Sequence, residues 1–242
     1  MLAAVSACGQ PATNRTFAVR AETAFARAQK QFAEHPGEAV AAWQLGRASY
    51  DWAEFATNSE QRAAVAQTGI AACRYLLARD PKSAPGHYYL AMDFGQLAEA
   101  EAPSIAAYKL VKEIEREFKA AAELDEKIDF AGPPRCLGLL YRDAPGWPVS
   151  IGSKHKAREW LERAAALAPD FPENQLNLAE TQMRWHQPAE AEKALKKLDA
   201  VWPAARTNLV GEAWEPSWDE WTARRGAVRA EFQKAFKRVP ES

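Results

Sequence analysis

The chain has 242 residues, a hydrophobic fraction of 48% and a formal net charge of −1. That is enough apolar matter for a sizeable core, and it leaves no bulk charge to attract nucleic acid. Ala dominates the apolar residues while Val and Ile are scarce, so helix formers outweigh strand formers throughout. No window approaches the eighteen or so apolar residues that a spanning helix needs.

The chain starts MLAAVSAC, and Val5-Ser6-Ala7-Cys8 resembles the lipobox of bacterial lipoproteins, which marks Cys8 for lipidation. Leu2 to Ala7 is shorter than the apolar core of a secretory peptide. Either the natural start lies upstream of Met1, or the match is chance. Residues 1–15 are accordingly read as the remnant of a signal and linker, and residues 16–242 as one helical domain.

Apolar positions then recur at helical spacing. The pattern predicts helices over Phe17–Phe32, Ala39–Phe55, Ala63–Ala78, Ala84–Ala100 and Ile105–Leu124. Further helices follow at Pro134–Tyr141, Lys154–Leu167, Pro172–Trp185, Pro188–Val201 and about Ser217–Val239. Ser217-Trp218-Asp219-Glu220 has the form of a capping box, and Asp170-Phe171-Pro172-Glu173 has the same form with Pro in the first turn. In the last helix, Trp218, Trp221, Val228, Phe232 and Phe236 share one stripe.

Ten helices without clear strands make an all-α array or bundle, and internal repetition favours the array. Leu45-Gly46 with Tyr50, Leu90-Ala91 with Phe94, Leu137-Gly138 with Tyr141, and Leu178-Ala179 repeat one pattern. Ala157, Leu161, Ala164 and Pro169 supply the matching second helix, as do Ala191 and Leu195; Phe118 and Ala121 fit it less closely. These are the positions of a tetratricopeptide repeat, in which a small residue lets two helix axes approach. The period is stretched well beyond the usual one of about 34 residues. The sequence thus predicts about four divergent, elongated tetratricopeptide-like repeats over residues 39–201. A leading helix spans residues 16–38, and a capping helix spans 217–239.

No catalytic constellation emerges, and the expectation is a protein that is not an enzyme. The four histidines are scattered over separate elements, without metal-ligand spacing, and read as surface or cap residues. Ser150-Ile151-Gly152-Ser153 lacks the strand and second Gly of a nucleophile elbow. Three cysteines build no disulfide framework, and Cys73 and Cys136 lie on apolar helix faces as small core residues. No cofactor and no metal is expected.

Binding would fall on the first helices of the repeats, which line the concave groove of such arrays. That projection picks Trp43, Gln44, Arg47 and Tyr50, then Tyr88, Tyr89 and Met92, then Arg135, Leu139 and Arg142, and finally Asn177, Glu180 and Arg184. Arginines interleaved with aromatics suit an acidic peptide, or a ligand with an apolar body and a carboxylate. The competing reading is that these side chains keep a helix face wet or pack between repeats. Trp147, in Pro145-Gly146-Trp147-Pro148, is either an exposed anchor on a stiff loop or an indole folded back over a seam, and folding back is the preferred reading.

The stretch Ala131–Glu180 carries a more particular likeness. Gly132-Pro133-Pro134-Arg135, Leu137-Gly138, Leu140-Tyr141, Ala144-Pro145-Gly146-Trp147-Pro148 and Ser150-Ile151-Gly152 come in sequence, followed by Pro172-Glu173-Asn174 and Leu178-Ala179-Glu180. In this order they resemble the T-component family associated with TRAP transporters, the TatT-like periplasmic lipoproteins. The resemblance implies a lipid-anchored, trimer-forming helical-repeat protein that docks a TRAP solute-binding protein and has clefts suited to apolar ligands. It places the chain in the periplasm, held to the membrane only through a lipid on Cys8. Two alternatives stay open: a general tetratricopeptide scaffold of envelope or cytoplasm, and a carrier of a hydrophobic or organic-acid molecule.

Overall fold

In the computed structural model, residues 12–237 are described, with side chains over 15–235; Cys8 and the side chain of Phe236 lie outside them. Among the described residues there are ten α-helices and one short 3-10 turn. They run α1 (Ala12–Glu34), α2 (Ala39–Ala53), α3 (Ser59–Arg79), α4 (Ala84–Glu101), α5 (Ile105–Asp125), α6 (Ile128–Asp143), α7 (Lys154–Leu167), α8 (Pro172–Arg184), α9 (Pro188–Asn208) and α10 (Glu215–Lys237). The all-α reading holds.

The chain divides into two compact units: Met1–Ile128 with Asp143–Gly152, and Asp129–Arg142 with Ser153–Ser242. In unit 1, α1 packs on α2, α2 pairs with α3, and α4 rests on both α2 and α3 before pairing with α5. That is the stacking of successive helix hairpins, each first helix lying against both members of the pair before it. In unit 2, α7 packs on α8, α8 pairs with α9, and α10 rests on both of them. Helix α10 therefore takes the place of the first helix of a further repeat, which is how a terminal cap covers the last seam.

The repeat positions form the seams. Leu45, Leu90, Ala91, Phe94, Leu137, Tyr141, Ala157, Leu161, Ala164, Ala179, Ala191 and Leu195 are all buried. Gly138 shows why the small residue is needed: a Cβ there would lie 2.6 Å from Leu161 Cγ and 3.0 Å from the Leu161 backbone nitrogen. In unit 2 the core continues into an aromatic cluster. Phe171 stacks on Phe130 at 4.5 Å and meets Trp221 edge-on at 5.2 Å, and Trp218 meets Trp221 at 5.1 Å and Trp202 at 5.2 Å. Such offset and edge contacts add to simple burial.

Several helix ends differ from the sequence reading, each for a local reason. Helix α3 begins at Ser59 rather than Ala63, because the Asn58 side chain accepts from the Gln61 N–H at 2.8 Å and starts a polar, solvent-facing first turn that apolar periodicity does not register. Ser83, Ser104 and Ser153 cap α4, α5 and α7 in the same manner. Neither proposed capping box forms. Ser217 lies inside α10, which a 3-10 turn at Glu212–Trp214 starts early. Phe171, not Asp170, is the N-cap of α8, with Pro172 directly after it and no side-chain cap. Helix α9 continues through Pro203 to Asn208, past the predicted end at Val201.

Helix α6 departs most. The sequence predicts a start at Pro134, yet the helical segment begins at Ile128 across a kink in which Asp129, Phe130 and Ala131 have φ of 51°, 55° and 64°. Left-handed backbone costs roughly 1–2 kcal/mol per non-glycine residue, so neighbours must hold it. Arg135 does so by donating to the carbonyls of Asp129 (3.2 Å) and Phe130 (3.1 Å) and pairing with the Asp129 carboxylate (3.1 Å). Asn174 donates to the Phe130 carbonyl as well, and to those of Ala164 and Ala168 at the end of α7.

Candidate interaction surface

In unit 1 the predicted first-helix residues fall into two groups. Tyr88 and Tyr89 are buried. Tyr89 lies between the Trp43 ring, stacked at 5.8 Å, and the Tyr88 ring at 5.0 Å, and Tyr88 reaches Phe118 on α5 at 5.9 Å. These two tyrosines are packing residues, since an aromatic inserted between repeats has no face left for a partner. Trp43, Tyr50 and Met92 are half-buried, and Gln44 and Arg47 are exposed. Trp43, Gln44 and Arg47 line an open cleft of about 310 Å³ between α1 and α2, together with Arg27, Gln31 and Asp51, over a floor of Ala24, Ala28 and Ala48. Arg47 stands 3.8 Å from Asp51, one helical turn away, with both side chains more than half exposed. An ion pair that wet contributes little to stability.

In unit 2 most of the corresponding polar residues are committed internally. Arg135 is 6% exposed and holds the left-handed turn; its guanidinium also lies over the Phe171 ring at 5.2 Å and 3.6 Å from Glu173. Arg142 donates to the Thr181 hydroxyl at 3.3 Å. Asn177, 1% exposed, accepts from Arg224 on α10 at 2.5 Å. Glu180 takes two hydrogen bonds from the same Arg224, at 2.9 and 2.7 Å. Burial alone would lower the Arg224 pKa; the bonds and charge of Glu180, with Glu173 and Glu220, more than reverse this and leave it raised. Arg135, Arg142 and Asn177 therefore serve as internal struts, and Arg184 alone of the unit 2 candidates is exposed.

Trp147 overturns the preferred reading of its loop. The indole is 89% exposed, and Val149 beside it is 66% exposed. The loop beneath is tied down by its own backbone. The Gly146 carbonyl accepts from Val149 (3.1 Å) and Ser150 (3.2 Å), and Gly152 donates to Pro145 at 2.9 Å. A Cβ on Gly152 would collide with the Ala144 carbonyl and lie 2.8 Å from Pro145. The loop's backbone groups are used inward, and the indole is held outward.

Four buried or half-buried residues escape the sequence reading. Asp93 on α4 is fully buried among α2, α3 and α4, near Ser49 and Cys73, and neither of its oxygens has a hydrogen-bond partner. Its signal is present in the sequence: a carboxylate in the apolar run Leu90-Ala91-Met92-Asp93-Phe94 breaks the pattern. His87 reads as a surface or cap residue, but it contacts Glu117 Oε2 at 2.5 Å and the Pro81 carbonyl at 3.0 Å, tying α4 to α5. Asn174 and Arg224 have no signal, because their partners are 44 or more residues away at their farthest. No group of three His, Cys, Asp or Glu side chains among the described residues could hold a metal ion, and no helix among them is long and apolar enough to cross a membrane.

No family model and no curated protein matches this sequence. Solved structures do match. TTC0263, a thermophilic TPR protein of Thermus thermophilus, superposes with a TM-score of 0.60 at 17% identity, over 92% of this chain and 94% of its own. MamA superposes at 0.53, also at 17% identity, over 81% of this chain and 95% of its own. The fold is a tetratricopeptide-like helical-repeat array. At this identity the likeness extends to the fold alone, so what the array binds must be argued from its own side chains.

Proposed function

We propose that this tetratricopeptide-like chain is a non-catalytic scaffold that binds an extended segment of a partner protein along the α1–α2 face of unit 1. The observation that carries the reading is the cleft where Trp43, Gln44, Arg47 and Arg27 stand accessible over a floor of alanines. Guanidiniums beside an indole suit a segment carrying carboxylates next to apolar or aromatic side chains. Trp147, presented on its locked loop, is a second contact point of the kind that anchors interfaces. Panning a phage-displayed random peptide library tests the reading. Enriched acidic–aromatic peptides that lose binding at least about tenfold on Arg27→Ala/Arg47→Ala, roughly 1.4 kcal/mol, support it. Failure to enrich any peptide, or binding indifferent to those arginines, overturns it.

The finer reading takes the partner to be a TRAP-type solute-binding protein and the chain to be a periplasmic lipoprotein anchored through Cys8 and assembled as a trimer. What supports it is the likeness across Ala131–Glu180, with the compact Pro-Gly-Trp-Pro loop at its centre. Titrating purified TRAP solute-binding proteins against this chain, with Trp147→Ala as the control, tests the partner. Saturable binding weakened by the substitution supports it, and no heat or mobility change overturns it. Native mass spectrometry of the same sample decides whether the chain instead carries a hydrophobic or organic-acid ligand.

A further inference from the structure

The least expected group in unit 1 is Asp93. Its side chain is 0% exposed, and Oδ1 and Oδ2 both lack a hydrogen-bond partner, as does the neighbouring Ser49 Oγ. The walls are built to fit it. A Cβ on Gly69 of α3 would stand 2.6 Å from the Asp93 carboxyl carbon and 2.7 Å from Ser49 Cβ. A Cβ on Gly46 of α2 would collide with Cys73 Sγ, lie 3.1 Å from Tyr89 Cβ and reach Asp93 Oδ2 at 3.6 Å. Two glycines and a serine thus let three helices close on a carboxyl to which none of them makes a hydrogen bond.

We propose that Asp93 is a pH-sensitive latch: α2, α3 and α4 close around the neutral carboxyl, and the junction loosens when its proton leaves. An ionised carboxylate in a dry, unpaired site costs several kcal/mol, so the group either keeps its proton or opens the site to water.

The charged and titratable surroundings offer no compensation. From α2, Asp51 adds negative charge, and Glu54 at its C-cap is taken by Gln96. From α3 comes the Cys73 thiol, itself buried, while Arg62 is engaged one turn further on by Gln96 and Glu99 and Arg74 lies over the Phe94 ring. From α5, Glu117 is held by His87 and Arg116. Burial first, and the Asp51 charge second, push the Asp93 pKa well above its usual value. The folded state therefore binds a proton that the unfolded chain has released. Stability of this junction is fully present below the unfolded pKa and falls as pH rises towards the folded one. Tyr89, one turn before Asp93, carries the Trp43 stack, so the same junction supports the wall of the α1–α2 face. The latch stands whether or not that face binds a peptide.

Amide exchange of α2–α4, corrected for intrinsic rates and followed from pH 4 to 9, reads the latch directly. In the native chain the local opening constant should rise by up to about tenfold per pH unit relative to Asp93→Asn, starting from near equality at the acid end. Helices α8 and α9 of unit 2 should show no difference between the two proteins. Equal pH slopes in α2–α4, or loss of protection in Asp93→Asn at every pH, overturn the proposal. The carboxyl 13C shift of Asp93 in the native chain keeps the test independent of the variant's folding. It should hold its protonated value at about pH 5, where exposed aspartates have ionised. An ionised shift there overturns the latch.

Discussion

Units 1 and 2 share a helix-hairpin plan, and one junction in each treats a buried ionisable group in the opposite way. Unit 2 surrounds Arg135 and Arg224 with carboxylates, carbonyls and amides until the guanidiniums are nearly satisfied. Unit 1 closes glycines and a serine around Asp93 and leaves both of its oxygens without a hydrogen bond. The α6–α8–α10 seam is braced by ion pairs, and the α2–α3–α4 junction depends on a carboxyl staying neutral. The contrast separates the arginines that brace the fold from those proposed for recognition. Those of the α6–α8–α10 seam hold the fold, whereas Arg27 and Arg47 face solvent beside Trp43.

The sharpest way to break this comparison is to remove the brace. Arg224→Ala strands Glu180 and Asn177, and unit 2 should lose about 3 kcal/mol, the scale of a severed, largely buried pair. Chemical denaturation read with amide exchange of α8 and α10 checks this, and a cycle with Glu180→Gln should show strong coupling. Next comes Gly69→Ala, which drives a methyl into the Asp93 carboxyl and should cost unit 1 about 1–3 kcal/mol. Asp93→Ala added to it should restore part of that loss, measured by the same denaturation.

The pH dependence should run in opposite directions. In unit 2, burial raises the Asp199 pKa, but hydrogen bonds from Arg229 and Arg225 on α10 outweigh it and leave the group lowered. Its stabilisation is present above the unfolded pKa and lost as pH falls through the folded one. Acid should therefore loosen the α9–α10 contact first, while alkali loosens α2–α4. Exchange profiles that move together with pH would erase the distinction.

Smaller still is Ala131→Gly. An alanine-to-glycine change inside a right-handed helix costs roughly 1 kcal/mol. At φ 64° it should be neutral or stabilising by up to about 1 kcal/mol, read from the thermal midpoint. Trp147→Ala should leave stability within about 0.5 kcal/mol, because the indole stands in solvent.

The fold is legible in the sequence because repeat packing is written locally. Small residues at Gly46, Ala91, Gly138 and Ala179, each followed by apolar residues at helical spacing, are a pattern within one or two turns. The proposed recognition face is only half legible. The spacing that puts Arg47 and Arg135 on first helices does not tell an exposed guanidinium from one enclosed by Asp129, Glu173 and Asn174. That difference arises from contacts up to 39 residues apart in sequence and from a left-handed turn that no residue preference announces. Trp147 eludes the sequence for a related reason. The prolines and glycines show that the loop is stiff, but which way the indole points depends on the hydrogen bonds that close it.

The central claim is that recognition belongs to the α1–α2 face of unit 1 and not to the arginine seam of unit 2. It is tested most directly by measuring the Kd of one selected peptide, in fluorescence anisotropy, for the native chain, Trp43→Ala/Arg47→Ala and Arg184→Ala. The account predicts at least about a tenfold loss for the first variant and less than about twofold for the second. A loss confined to Arg184→Ala would contradict it.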